Sequence, residues 1–81
     1  MPFVYILRCA DGTLYTGYAL DLDQRCAAHN AGRGARYTAG RRPVEVVYSE
    51  ACDTVGAALK REHAIKRLSR IDKEALIGSR R

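Results

Sequence analysis

Apolar residues nowhere run on for the roughly 18 positions that a membrane-spanning helix requires, and no charged-then-apolar leader precedes the first strand-like segment. The expectation is a protein of the cytoplasm with no membrane partner. Cysteine is scarce and odd in number: Cys9, Cys26 and Cys52 lie far apart, with no Cys-x-x-Cys pair. Such spacing argues against structural zinc or a disulfide, and for small buried hydrophobes in a reducing compartment. Length is short as well. The 81 residues leave room for one domain, residues 1–81, with one modest core. A chain of this size buries only about 60–65% of its extended surface, so polar groups at inward positions need a reason.

Negative charge is missing over a long stretch. From Gln24 to Val44 there is no acidic residue, while Arg25, Arg33, Arg36, Arg41 and Arg42 all fall there. From Lys60 to Arg81, eight basic residues stand against Glu62, Asp72 and Glu74. The net charge is +5, and arginine outnumbers lysine eleven to three. A guanidinium meets two phosphate oxygens at once, so this bias suits phosphate recognition better than mere solubility. The expected partner is a nucleic-acid backbone, DNA or RNA.

Phe3 to Cys9 and Thr13 to Ala19 are β-branched and aromatic runs, and Ala10-Asp11-Gly12 between them carries a hairpin signal. A two-residue Asp11-Gly12 loop would pair Tyr5 with Tyr18 and put Tyr15 on the opposite face. A three-residue loop with left-handed Gly12 pairs Tyr5 with Gly17 and Leu7 with Tyr15 on one face; this second register is the expected one. Asp21 then caps a helix running to about Ala31 and stopping at Gly32, with Leu22, Arg25, Cys26 and His29 at inward spacing. Residues 32–43 form a loop with one short helical turn at Ala35 to Thr38, and Val44 to Tyr48 a third strand. Thr54 caps a helix to about Leu68 whose stripe reads Val55, Ala58, Leu59, Glu62, Ile65 and Ser69. A last helix, Asp72 to Ile77, frays into Arg80-Arg81. The order β-β-α-β-α-α describes an α+β domain, a small three-stranded antiparallel sheet flanked by helices.

Some polar residues in this scheme fall where hydrocarbon is expected. A carboxylate at Glu62, beside Ala58, Leu59 and Ile65, is costly unless paired or bound to a metal. It either bridges to Arg25, Arg61 or Lys66, or it is a ligand. Arg25 and His29 share a helical face about one turn apart, as a surface arginine and a hydrogen-bonded core histidine or as parts of a site. Tyr5 and Tyr15 are good strand residues. As a base a phenol of pKa about 10 is poor at neutral pH unless cations or hydrogen bonds shift it.

Taken together, Val4-Tyr5-Ile6, Tyr15-Thr16-Gly17, the Arg25-x-x-x-His29 pair and the helical Glu62 resemble the GIY-YIG nuclease domain. The likeness is to the small bacterial proteins made of that domain alone, over roughly residues 3 to 77. The resemblance implies a Mg²⁺- or Mn²⁺-dependent endonuclease that hydrolyses DNA phosphodiesters by one-step water attack, with no covalent intermediate. Glu62 matches the residue that binds the single metal. Arg25 matches the one that holds the scissile phosphate. Tyr5 is the first choice for general base, supported by Tyr15 and His29. Gly17 allows close approach of phosphate or of Tyr5. Tyr37 is either a substrate-side aromatic or a packing residue, and Arg33, Arg36, Arg41 and Arg42 form the expected backbone-binding group.

The chain departs from the family pattern in places. Phe3-Val4-Tyr5 replaces Gly-Ile-Tyr, and Thr16 separates Tyr15 from Gly17. Many larger relatives carry an asparagine after the metal-binding glutamate; here the only asparagine is Asn30. Relatives usually add a recognition domain, so specificity here falls to the basic loop, to self-association or to a protein partner. Similarity of Gly34-Ala35-Arg36-Tyr37-Thr38 to subunits of structure-selective junction nucleases favours single-stranded or branched DNA over other substrates, damaged DNA among them. Two other readings of the same residues are a non-catalytic nucleic-acid-binding module and a basic adaptor for an acidic protein.

Overall fold

Ala10-Asp11-Gly12 closes the first hairpin as a three-residue loop in the computed structural model, which describes residues 1–79. Gly12 adopts φ +84°, a left-handed conformation that costs glycine little, and Cys9 N–H donates to the Thr13 carbonyl at 2.8 Å. Strands β1 (Phe3–Arg8) and β2 (Leu14–Ala19) are thereby held in the register Tyr5–Gly17 and Leu7–Tyr15. The third strand, β3 (Glu45–Ala51), pairs on the other side of β1, so the sheet order is β2-β1-β3, all antiparallel. It begins one residue later and runs three further than expected.

Helix α1 (Leu22–Asn30) is capped by Asp21, whose carboxylate accepts from Gln24 N–H at 2.9 Å. After the short α2 (Arg36–Ala39) and β3 comes α3 (Val55–Lys66), capped by the Thr54 hydroxyl. It ends before Leu68, and α4 (Arg70–Gly78) starts two residues earlier than the expected Asp72. The reason is local: Ser69 is not part of the α3 stripe but the cap of α4, accepting from Asp72 N–H at 3.1 Å. Arg80 and Arg81, where the last helix is expected to fray, lie outside the described residues.

The strands alternate their side chains between two cores. Val4, Ile6 and Tyr48 pack with Ala58, Ile65 and Ile77 under α3 and α4. Tyr5, Leu7, Cys9, Ala19 and Val44 pack with Tyr15, Leu22 and Cys26 under α1. Val44 and Tyr48 have the same parity yet join opposite cores, because a bulge interrupts the β1–β3 pairing between Ile6 and Leu7. On α3 the buried face is narrower than the expected stripe. Ala58 and Ile65 are fully buried, while Val55 and Leu59 stay exposed. Two contacts tie the helices down: Arg61 to Glu50 at 2.7 Å, and a two-pronged pairing of Arg8 with Glu74 at 3.0 and 2.8 Å. Among the described residues no helix is long and apolar enough to cross a membrane.

Candidate active site

The site begins with a missing side chain. Gly17 stands opposite Tyr5 across the hairpin, and the Tyr5 phenol lies over it; a Cβ on Gly17 would come within 2.6 Å of the hydroxyl oxygen. The phenol therefore points past β2 instead of upright from the sheet. Tyr5 is only 2% exposed, and its hydroxyl meets His29 Nε2 at 3.0 Å. His29, fully buried near the end of α1, is held on its other side by Thr38, whose Oγ1 is 2.7 Å from Nδ1. Here too a glycine makes room, since a Cβ on Gly34 would lie 2.2 Å from Nδ1.

Tyr15 joins the same cluster. The Tyr15 ring tilts against His29 with centroids 5.3 Å apart, and Tyr37 stacks on Tyr15 at 5.9 Å. The Arg41 guanidinium lies 4.1 Å from the centre of the Tyr37 ring. Tyr37 is thus held between Tyr15 and Arg41.

Burial pushes the Tyr5 phenol above its ordinary range. Hydrogen bonding from Arg25 opposes that shift, while Tyr15 and the negative charge of Glu62 add to it. The phenol thus responds to charged or titratable groups on β2, α1 and α3. Burial, and after it the positive charge of Arg25, push His29 below its ordinary value, so the ring is neutral at pH 7. Arg25 itself is exposed, contrary to its expected inward placement: α1 buries His29 fully, Leu22 and Cys26 in part, and leaves the guanidinium in solvent at the rim. A groove of about 480 Å³ opens beside it, lined by Tyr18, Leu20, Gln24 and Ala28 among others.

Glu62 is not on a solvent-facing side of α3. Its side chain is 17% exposed and meets Lys66 Nζ at 3.4 Å, one of the ion pairs anticipated for it. That pair is partly exposed and long, and it leaves carboxylate lone pairs unused. No group of three or more His, Cys, Asp or Glu side chains among the described residues could cage a metal. One carboxylate is a donor set that suits Mg²⁺, which keeps most of its waters and takes further oxygens from a phosphate substrate; Glu62 is the residue that would hold it.

The four loop arginines divide into two pairs. Arg41 bonds Asp11 at 3.0 Å and the Tyr37 carbonyl at 2.7 Å, and Arg42 bonds the Ala39 carbonyl at 2.8 Å and reaches that of Asn30 at 3.3 Å. Both guanidiniums brace residues 30–42. Arg33 and Arg36 are exposed and in no ion pair among the described residues. Asn30 has a structural task, accepting from Val44 N–H at 2.7 Å and donating to its carbonyl at 3.0 Å. It ties α1 to the start of β3.

Sequence reasoning passes over Thr38 and Gly34. His29 and Thr38 are nine positions apart, and the stretch between them follows no single helical or strand period, so nothing in the spacing brings them together. The one available hint is that Gly34-Ala35-Arg36-Tyr37-Thr38 stands out as a block.

Comparison with known proteins identifies the family and the fold. The model of the GIY-YIG catalytic domain matches residues 1–75. A UPF0213 protein of Natronomonas pharaonis is 56% identical over 76 residues, covering 94% of this chain and 89% of the other. One from Staphylococcus aureus is 54% identical over 78 residues, 96% and 95% of the two chains. The solution NMR structure of the UPF0213 protein of Bacillus halodurans superimposes with a TM-score of 0.61 at 44% identity, covering 96% and 84%. That of a protein from E. faecalis gives 0.64 at 40% identity, covering 95% and 82%.

Proposed function

The chain belongs to the GIY-YIG family, and on that premise we propose that it is a metal-dependent endonuclease hydrolysing DNA phosphodiester bonds. The observation that carries the reading is the contact of Tyr5 with His29 in the space that Gly17 leaves open, with the charges of Arg25 and Glu62 both acting on that phenol. A purely structural cluster would have little need to assemble a phenol, a guanidinium and a carboxylate at one rim.

The exposed Arg25 guanidinium grips the scissile phosphate at two oxygens and offsets the charge that grows there during attack. Tyr5 first loses its own proton to solvent, a step that burial opposes and that Arg25 and the contact with His29 assist. The phenolate then takes one proton from a water whose oxygen adds to phosphorus. The bond from phosphorus to one sugar oxygen breaks, and that oxygen acquires a proton from solvent. No enzyme nucleophile intervenes. Glu62 would hold a Mg²⁺ or Mn²⁺, and the ion would supply positive charge that offsets the charge developing on the leaving group. The groove beside Arg25 has room for the nucleoside attached to the phosphate, and Arg33 and Arg36 contact neighbouring phosphates. The likeness of the segment Gly34-Ala35-Arg36-Tyr37-Thr38 to subunits of structure-selective junction nucleases favours single-stranded or branched DNA, with specificity completed by the basic loop, self-association or a protein partner.

The test is to incubate purified protein and its Glu62→Ala and Arg25→Ala variants with labelled single-stranded, duplex and four-way DNA. Each is run with Mg²⁺, with Mn²⁺ and with neither. Metal-dependent nicking that both substitutions abolish, with DNA binding partly retained, is the expected result. Salt-sensitive binding with no cleavage under any metal would make the protein a binding module and sink the nuclease reading.

A further inference from the structure

We infer that Thr38 and the backbone amide of Ala35 lock His29 in the tautomer with its proton on Nε2, so that His29 donates a hydrogen bond to the Tyr5 oxygen and does not accept its proton. Thr38 is thereby a positioning residue for the proposed base. The inference rests on the nuclease reading for its catalytic meaning, but not for its structural content.

Four protons around His29 have to be placed, and two of the groups leave no choice. A backbone N–H has one fixed direction, and that of Ala35 points at His29 Nδ1 across 3.4 Å. A proton on Nδ1 would meet it head on, so Nδ1 presents its lone pair. The Thr38 hydroxyl has a single proton and two acceptors in reach, Nδ1 at 2.7 Å and the Ala35 carbonyl at 3.0 Å. That carbonyl already receives the N–H groups of Thr38 and Ala39, both at 3.2 Å. Both of its lone pairs are in use, and the shorter contact takes the hydroxyl proton. With Nδ1 accepting from two donors, the ring proton of neutral His29 sits on Nε2, 3.0 Å from the Tyr5 oxygen.

The consequence falls on Tyr5. Its oxygen then accepts from His29 Nε2–H, and its own proton is not given to the imidazole. A donor on that oxygen favours the phenolate, the state a base needs, and so works against the burial that holds the phenol above its ordinary range. The opposite tautomer would make His29 the acceptor and hold the Tyr5 proton inward. The titratable groups facing the imidazole are Tyr5 from β1, Tyr15 from β2 and Arg25 from its own helix; Glu62 from α3 acts on Tyr5. None of these can donate to Nδ1, so Thr38 and Ala35 hold that nitrogen alone.

The experiment is long-range ¹H–¹⁵N correlation of the histidine rings in ¹⁵N-labelled protein, free of DNA and metal, at a pH where His29 is neutral. Wild type is expected to show a pyrrole-type Nε2 and a pyridine-type Nδ1. Thr38→Ser keeps the donor and should keep both shifts. Thr38→Val loses it, and Nδ1 should move downfield toward the value of an unbonded ring nitrogen, or the tautomers should mix. A pyrrole-type Nδ1 in wild type overturns the inference, and so does a Thr38→Val spectrum identical to wild type. Should Thr38→Val fail to fold, wild type and Thr38→Ser still decide through Nδ1. In the cleavage assay Thr38→Val should lower kcat at least tenfold with DNA affinity unchanged, and Thr38→Ser should restore it. A wild-type protein that shows the Nε2–H tautomer but never cuts DNA would remove the nuclease reading and leave the tautomer assignment standing.

Discussion

The Tyr5 hydroxyl and Gly17 occupy space that only one of them can fill: a Cβ on Gly17 would lie 2.6 Å from the oxygen and 2.8 Å from the ring carbon that bears it. The strand thus surrenders a side chain so that a phenol from its neighbour can lie across it and reach His29. Gly17→Ala should displace the ring, destabilise the fold by about 1–3 kcal/mol through overpacking, and abolish cleavage while sparing most DNA binding. Thermal unfolding and a nicking assay check both effects. Full activity in that variant would mean that Tyr5 is not placed by the glycine.

The division among the loop arginines predicts two different phenotypes. Arg33→Gln and Arg36→Gln should each weaken DNA binding and reduce the slope of log K against log salt by about 0.7–0.9 for each phosphate left without its arginine. Arg41→Gln removes the partner of Asp11 and Tyr37, an exposed arrangement worth about 1 kcal/mol or less. It should therefore appear mainly as a small loss of stability. Binding titrations at several salt concentrations separate the two.

Asn30→Ala strands the N–H and carbonyl of the buried Val44. Each unmade hydrogen bond of this kind costs about 1–3 kcal/mol, so this substitution should rank among the more damaging outside the site. Thr16→Val should behave oppositely. The Thr16 hydroxyl is buried with no hydrogen-bond partner among the described residues, and an isosteric methyl removes an uncompensated desolvation cost, giving equal or greater stability. Denaturant melts of the two variants, run side by side, test the contrast.

Acidification should weaken the fold through two groups of depressed pKa. His29 is held neutral by burial and by Arg25. Its contribution is complete above its unfolded value of about 6.5 and is lost as pH falls through the lower folded one. Glu74, held at about 2 by its hydrogen bonds from Arg8, with Arg70 a smaller influence, contributes fully above 4.5 and loses that contribution as pH falls toward 2. The stability difference between wild type and Glu74→Gln should therefore shrink between pH 4.5 and 2. Chemical denaturation across that window measures it, and a constant difference would mean that the Arg8–Glu74 pairing carries no linkage.

Local chemistry makes much of this protein readable from the chain alone. Ala10-Asp11-Gly12 settles the hairpin register because a left-handed glycine closes a three-residue loop, and that register alone puts Tyr5 opposite Gly17. Asp21 and Thr54 mark helix starts because their side chains satisfy amides that the helix cannot. The α3 stripe is legible only in part: spacing names its face but not how far the neighbouring strands cover it, so Val55 and Leu59 remain outside. Ser69 escapes correct assignment because a hydroxyl residue at the end of a periodic run reads equally as stripe or cap. What the fold alone decided is the contact between His29 and the Gly34–Thr38 segment, the splitting of the four arginines, and the task of Asn30. These depend on where an irregular loop crosses the end of α1. Such a loop obeys no period, and its side chains are assigned by steric fit and by the need to pair every buried donor and acceptor, conditions that exist only once the chain has closed on itself.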